Sequence, residues 1–191
     1  TQVSSSFREK LDRGELVVGT WVNAVKDPIL PQILAPCGLD YLLIDAEHSG
    51  ATMASISEMC MMARACGLYP MVRPAEPNDL KMNGRLMDAG AMGLVIPHID
   101  SAEQARAVVN SVRFFNGGTR GYCSKTLSSG FCKVTEEDMH RADREVTRGR
   151  AAITKAYYKK LPERDDLSYK EFTICTLKFM LRFFRLFLNK I

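Results

Sequence analysis

The chain has 191 residues, 46% of them hydrophobic, which is enough for a domain with a substantial core and excludes disorder over its whole length. The formal net charge is +4, and the excess is confined to the residues from Lys133 onward, which include 14 Lys/Arg against 9 Asp/Glu. The near-neutral remainder gives no reason to expect a nucleic-acid partner.

Helix and strand signals alternate along the first half of the chain. The predicted elements are a helix at 4–11, a strand at 16–22, a helix at 29–36, a strand at 41–44, a helix at 52–65, a strand at 69–73, a helix at 77–89, a strand at 92–96 and a helix at 102–114. Glycines end several helices, while Ser101 and either Asn78 or Asp79 can cap two of them. This alternation predicts parallel βα units, which right-handed crossovers restrict to a barrel or a doubly wound sheet.

The alternation ends after the fourth unit. Residues 115–132 have the composition of a loop, residues 135–158 form a charged, helix-compatible stretch, and residues 172–191 form an apolar and basic run. We therefore expect a partial barrel over residues 1–131 and a divergent, mostly helical segment over residues 132–191.

Charged residues stand where the predicted strands end. Asp45, Glu47 and His48 follow the second strand, Arg73 ends the third, and His98 follows the fourth. The carboxyl ends of parallel strands meet at one edge, which is where reactive groups collect in a barrel. The sequence therefore predicts an active site at this edge.

These residue types suit chemistry that passes through an enolate. Arg73 would supply a permanent cation for the developing negative charge. His48 would remove or return a proton, and Asp88, at the end of a predicted helix, would reach back to orient it. Asp45 and Glu47 would serve either as supporting anchors or as ligands to water on a metal.

Each of these residues also has a purely structural interpretation. Arg73 could be a surface charge at a strand end, and Asp88 an ordinary residue at a helix C-terminus, although it is unfavourable there because of the helix dipole. His98 could simply line the mouth of the barrel. His140 lies in the charged stretch and is expected to be solvated.

An ordered series of motifs contains Asp45, Glu47, His48, Arg73 and Asp88. The motifs are Gly19-Thr-Trp21, Gly38-Leu-Asp-Tyr-Leu-Leu-Ile-Asp-Ala-Glu-His48, Pro70-Met-Val-Arg73, Leu86-Met-Asp-Ala-Gly-Ala91 with Val95-Ile-Pro97, Ser101-Ala-Glu-Gln-Ala-Arg106 and Gly118-Thr-Arg-Gly121. Over roughly residues 16–121 this series resembles the HpcH/HpaI aldolase family of class II pyruvate aldolases, which has macrophomate synthase among its relatives. The resemblance implies a (β/α) barrel of the TIM type.

The resemblance also implies an activity and a set of roles. The reaction would be aldol cleavage or formation of 4-hydroxy-2-oxo acids, with a 2-oxo acid and an aldehyde as partners. A divalent magnesium, manganese or cobalt ion would chelate pyruvate. His48 would be the acid/base residue, Asp88 its partner and Arg73 the enolate-stabilising cation, with Asp45 supporting the His48 loop. Trp21 would line the pocket, and the protein would be a homo-oligomer. From their positions at the strand ends, Arg73 and His98 are further candidates for binding substrate.

The last third departs from the family pattern. The family takes its metal ligands from later strands, a Glu in a Gln-x-Glu strand end and an Asp one unit further, and neither context follows Gly130. No metal ligand is therefore assigned, and the barrel, which usually needs about 250 residues, is incomplete. A truncated or altered reading frame, or a genuine replacement, would explain this. The alternative function is a catalytically incomplete homologue that acts as a binding or oligomerisation module.

Six cysteines lie at positions 37, 60, 66, 123, 132 and 175, and none forms a C-x-x-C pair. This spacing argues against a zinc or thioredoxin-like site. Cys37, Cys60 and Cys66 lie in or beside predicted helices as small apolar residues. With no secretory signal in the sequence, we expect a cytoplasmic protein. The basic stripe in residues 172–191 could lie on a membrane surface, although we favour a helix that covers the open barrel or pairs with another subunit.

Overall fold

The chain folds into parallel β/α units. A computed structural model describes residues 7, 9–76 and 79–148. The elements are β1 (Gly19–Val22), α1 (Leu30–Leu34), β2 (Tyr41–Asp45), α2 (Met53–Ala65), β3 (Tyr69–Arg73), α3 (Leu80–Asp88), β4 (Gly93–Leu94), α4 (Ala102–Val112) and α5 (Glu136–Arg148). A 3-10 turn at Ala35–Cys37 follows α1 directly.

The four strands form one sheet in the order β1-β2-β3-β4, and every neighbouring pair is parallel. Strand order therefore follows chain order, as in successive right-handed βα units. The predicted α/β class with a parallel sheet is confirmed. The register pairs Trp21 with Leu43, Leu43 with Met71, and Asp45 with Arg73, so the last residues of β2 and β3 lie side by side.

Local hydrogen bonds explain where the elements begin and end. Thr52 and Ser101 each form a capping box at the start of α2 and α4, and Asp79 caps α3. The first strand begins at Gly19 rather than at residue 16, because the backbone N–H of Val18 donates to the Asp40 carboxylate at 2.8 Å instead of to a strand partner.

The main core lies between the helices and one face of the sheet. Alternate strand residues contribute to it, including Leu42, Ile44 and Val72, and they pack with buried side chains of α2 such as Met59 and Cys60. Cys37, which was expected to act as a small apolar residue of a helix, is instead exposed, because its side chain lies outside this contact face.

The charged stretch is helical over α5, as predicted, and it packs on the end of α4. The buried Asp143 carboxylate accepts hydrogen bonds from the backbone N–H groups of Phe114 and Phe115 at 2.9 and 2.8 Å. The Phe115 ring stacks on the His140 imidazole, so His140 is half-buried rather than fully solvated. The segment that follows residue 131 is thus attached to the β/α units.

Several predictions lie outside the described residues. They concern residues 4–6 and 8 of the opening helix, the candidate cap Asn78, the helix beyond residue 148, and the apolar and basic run at 172–191, while residues 7 and 9–12 are helical. None of the helices within the described residues is both long and apolar enough to span a bilayer.

Two glycines that end helices are expected to differ sharply in their tolerance of a methyl group. Gly67 and Gly90 both have positive φ, 82° and 102°, so alanine at either position costs about 1–2 kcal/mol of backbone strain. A Cβ at Gly67 would meet open space, but one at Gly90 would lie 2.5 Å from Leu127 Cδ2 and 3.3 Å from Cys60 Cβ. Gly90→Ala should therefore lower the free energy of unfolding by about 1–3 kcal/mol more than Gly67→Ala. Urea titrations of the two variants measure this difference, and equal losses would contradict it.

Candidate active site

An ion pair between the last residues of β2 and β3 forms the centre of the site. Arg73 Nε and Nη2 donate to Asp45 Oδ1 and Oδ2 at 2.9 and 2.7 Å, which is a bidentate fork. The Asp45 side chain is fully buried, and the Arg73 side chain keeps 17% of its surface exposed. Parallel pairing brings the two residues together, because Asp45 and Arg73 are register partners at the carboxyl edge.

Opposing influences act on the pKa of Asp45. Burial alone would raise it, because a carboxylate is disfavoured away from water. Hydrogen bonds from Arg73, the His48 backbone, Asn23 and the Glu47 backbone outweigh burial and hold the pKa well below its usual range. Asp45 is therefore a permanent anion that orients Arg73, not a group that exchanges protons near neutral pH.

The turn that follows β2 is built on the same carboxylate. The backbone N–H groups of Glu47 and His48 donate to Asp45 Oδ1 at 2.9 and 3.3 Å, and the Ser49 hydroxyl donates to the Asp45 carbonyl. Asn23 Nδ2 donates to Asp45 Oδ2 at 2.9 Å and to the His48 carbonyl at 3.2 Å. The sequence interpretation missed Asn23, although it directly follows β1 at the same edge, and that position was the available signal.

Glu47 connects the guanidinium with two imidazoles. Its Oε2 lies 2.9 Å from Arg73 Nη1, and its Oε1 lies 3.0 Å from His98 Nε2 and 3.7 Å from His48 Nε2. His98 reaches this position from a left-handed backbone, with φ of 52°. The structure thus brings together both histidines that were predicted to lie at the strand ends, with the Glu47 carboxylate between them.

The Trp21 ring forms the wall beside Arg73. The Arg73 Cζ atom lies 4.5 Å from the ring centroid, which is within cation–π range. Trp21 remains 51% exposed, so the indole borders solvent as well as the guanidinium. An apolar surface beside a fixed cation suits a small organic anion.

Asp88 lies at the opposite edge of the sheet and does not reach His48 of the same chain, contrary to the prediction. Its Oδ1 accepts a hydrogen bond from Arg120 Nη2 at 2.7 Å, and the nearby Met92 carbonyl accepts one from the Tyr69 hydroxyl at the start of β3. Five strand residues, at about 3.3 Å each, separate this edge from the carboxyl edge. The reason is that α3 runs antiparallel to the strands and therefore ends at their amino edge.

The described residues do not fit the divalent metal that the family resemblance implies. Within residues 7, 9–76 and 79–148, no group of three or more His, Cys, Asp or Glu side chains is arranged to hold an ion. Both oxygens of Glu47 already contact Arg73 or an imidazole. No step of the chemistry is therefore assigned to a metal on these residues.

Parallel β/α units with charged groups gathered at the carboxyl edge are the arrangement of α/β barrel enzymes. A model of the HpcH/HpaI aldolase/citrate lyase family matches residues 18–152, which is more than half of the chain. The chain therefore belongs to this family, and the match continues beyond residue 121, where the recognisable motifs end.

Individual relatives agree with this assignment. The chain is 34% identical to 2-keto-3-deoxy-L-rhamnonate aldolase of Escherichia coli over 119 residues, 62% of this chain and 44% of the relative. It is 37% identical to hydroxypyruvate/pyruvate aldolase of Roseovarius nubinhibens over 120 residues, 62% of this chain and 45% of the relative. The crystal structure of an HpcH/HpaI aldolase from Desulfitobacterium hafniense superposes with a TM-score of 0.66 at 32% identity, covering 72% of this chain and 52% of that one. The chain thus spans less than half the length of these curated relatives.

Proposed function

We propose that the chain is a carbon–carbon lyase that cleaves or forms 4-hydroxy-2-oxo acids through a pyruvate enolate. The observation that carries the proposal is the juxtaposition of Arg73, Glu47, His48 and His98 at the carboxyl edge of the sheet. Family membership supports the reaction class, and the names of both curated relatives contain 2-oxo acids, which supports the substrate class.

In the cleavage direction, a base removes the proton of the 4-hydroxyl group and the C3–C4 bond breaks. The aldehyde departs, and the electron pair of that bond forms the enolate, which is then protonated at C3 to give pyruvate. His48 is the proposed acid/base, because its imidazole is 67% exposed and can reach substrate. Arg73, fixed by Asp45, is the proposed cation beside the enolate oxygen.

Trp21 and His98 are the proposed substrate-binding residues. The indole is half exposed beside Arg73 and offers an apolar face to the carbon chain of the 2-oxo acid. The His98 imidazole, held by Glu47 at 3.0 Å, offers a polar group next to the Glu47–Arg73 ion pair. Asp45 and Glu47 act through these residues, by holding Arg73 and the imidazoles in place.

The charge of the site argues for an additional cation. Asp45, Glu47 and Arg73 carry formal charges that sum to −1, so Arg73 attracts an anionic 2-oxo acid less strongly than an unpaired cation would. A divalent ion is the source of charge that the family resemblance implies. The described residues hold no group of ligands for such an ion, so metal dependence is tested on the full chain with added magnesium, manganese or cobalt.

A pyruvate-release assay tests the proposed function. The full chain is incubated with 4-hydroxy-2-oxo acids and each metal in turn, and pyruvate is measured by coupled reduction to lactate. We expect release that depends on the metal, together with exchange of the C3 protons of pyruvate in D2O. The absence of both reactions with all three metals would contradict the proposal.

A catalytically incomplete homologue is the second candidate, and one observation favours it. The described residues hold no metal-binding cluster. Such a chain would bind a partner subunit without turnover. The same assay separates the two candidates, because a module of this kind neither releases pyruvate nor exchanges its protons.

Assembly into a homo-oligomer is also proposed. Among the described residues, β1 and β4 pair on one side only, which leaves two strand edges to be covered. If Asp88 is the partner of His48, as the resemblance implies, a second copy of the chain must bring it to the carboxyl edge. The cytoplasmic location likewise stays a prediction.

A further inference from the structure

We infer that Asn23 is a positioning residue for the proposed reaction, one that fixes the His48 backbone relative to the Asp45–Arg73 pair. The inference rests on the proposed function, in which His48 transfers the proton. Its basis is the carboxamide of Asn23. This residue follows β1, and its carboxamide bridges Asp45 and the His48 carbonyl in the turn that follows β2.

The carboxamide nitrogen of Asn23 uses both of its hydrogens for this bridge. One N–H bonds to Asp45 Oδ2 at 2.9 Å and the other to the His48 carbonyl at 3.2 Å. The first acceptor lies at the end of β2 and the second lies three residues further along the turn. Asn23 therefore attaches the end of β1 to both ends of the segment that presents the imidazole.

The bridge completes the set of donors around the Asp45 carboxylate. Oδ1 accepts from Arg73 Nε and from the backbone N–H groups of Glu47 and His48, whereas Oδ2 accepts from Arg73 Nη2 and from Asn23. Without Asn23, Oδ2 would lose its donor from the β1 side of the site and would keep the bond from Arg73 Nη2. The Arg73 fork and the turn would then be held less rigidly.

His48 needs this backbone support because its side chain has little of its own. Two-thirds of the side chain is exposed. Within the described residues, its Nε2 atom lies 3.7 Å from Glu47 Oε1, which is a long ion-pair distance. The direction of the imidazole is therefore set mainly by the backbone at residue 48. That backbone is held by two hydrogen bonds, its N–H to Asp45 and its carbonyl to Asn23.

The chemistry of the bridge selects an amide at position 23. Both atoms that face the side chain are acceptors, a carboxylate oxygen and a carbonyl oxygen, so the group between them must donate twice. An aspartate would present a carboxylate to Asp45 at hydrogen-bond distance, where two like charges repel. Asn23→Asp is therefore expected to be more harmful than Asn23→Ala, although it preserves the size of the side chain.

Two measurements on the full chain test the inference. The first is hydrogen–deuterium exchange of the Glu47 and His48 backbone amides by NMR, which requires no activity. The second is the exchange of pyruvate C3 protons in D2O with added manganese, measured as kcat and KM. Asn110→Ala, which removes a carboxamide near the far end of α4, is the matched control.

In Asn23→Ala, we expect both amides to exchange about tenfold faster and kcat to fall about 10- to 100-fold with little change in KM. Asn23→Asp should show a larger loss, and Asn110→Ala should match the parent chain in both measurements. Because Asn23 is exposed, the urea midpoint of Asn23→Ala should stay close to that of the parent. Unchanged protection of the two amides in Asn23→Ala would overturn the inference, as would an unchanged kcat. If the parent chain exchanges no pyruvate protons, the proposed function fails, and amide protection alone then decides whether Asn23 positions the turn.

Discussion

Replacing Arg73 by Met is expected to lower the free energy of unfolding by about 3–5 kcal/mol, because it leaves a fully buried carboxylate without its cation. Methionine retains much of the length of the side chain, so lost packing contributes little. Any lyase activity should fall about 100- to 1000-fold as well, since a fixed charge beside the enolate is removed. Urea titration and the pyruvate-release assay measure the two effects separately.

The double variant Asp45→Asn with Arg73→Met is the control for this prediction. It removes both charges of the pair and keeps a carboxamide oxygen as acceptor for the Glu47 and His48 N–H groups, so it should be more stable than Arg73→Met alone, while activity stays lost. If the single and double variants were equally unstable, the loss would come from packing and the assigned role of the ion pair in stability would be wrong.

The contribution of the Asp45–Arg73 ion pair to the free energy of unfolding should decrease as the pH is lowered. The pKa of Asp45 is lower in the folded chain than in the unfolded chain, so its contribution is complete above the ordinary aspartate range, about 3.9. That contribution is lost as pH falls through this range and below it. The difference in stability between the parent and Arg73→Met should therefore narrow from about pH 7 to about pH 3.

Replacing His48 by Gln is expected to cause a large loss of activity with little change in stability, whereas Arg73→Met should lower both. Exchange of the pyruvate C3 protons should fall about 100- to 10000-fold, which is the usual contribution of a positioned acid/base. The free energy of unfolding should change by less than about 0.5 kcal/mol, because the side chain is 67% exposed. Proton exchange in D2O and urea titration measure the two quantities.

His140→Gln is the matched control, because it removes an imidazole in α5 that stacks on Phe115 away from the strand ends. It should leave proton exchange unchanged. A similar loss of exchange in both variants would mean that His48 has no specific part in proton transfer. Full activity in His48→Gln would end the acid/base assignment.

Much of the architecture follows from local signals. The strand at Tyr69–Arg73 has the predicted bounds, and α2 begins one residue after the predicted start, where Thr52 caps it. Alternation of apolar runs with capped helices specifies parallel β/α units, since each signal depends on residues close together in sequence. The gathering of Asp45 and Arg73 at one edge follows from the same topology.

The sequence by itself therefore determined the class of fold, the edge at which the charged side chains gather and most of the residues there, because strand ends in a parallel sheet share one direction. Only the tertiary structure decided which side chains contact one another. In the tertiary structure, Asp88 lies away from His48 and accepts a hydrogen bond from Arg120, and Asn23 donates a hydrogen bond to Asp45. These contacts join residues 22 to 32 positions apart, and their geometry depends on helix direction and strand register rather than on any local pattern.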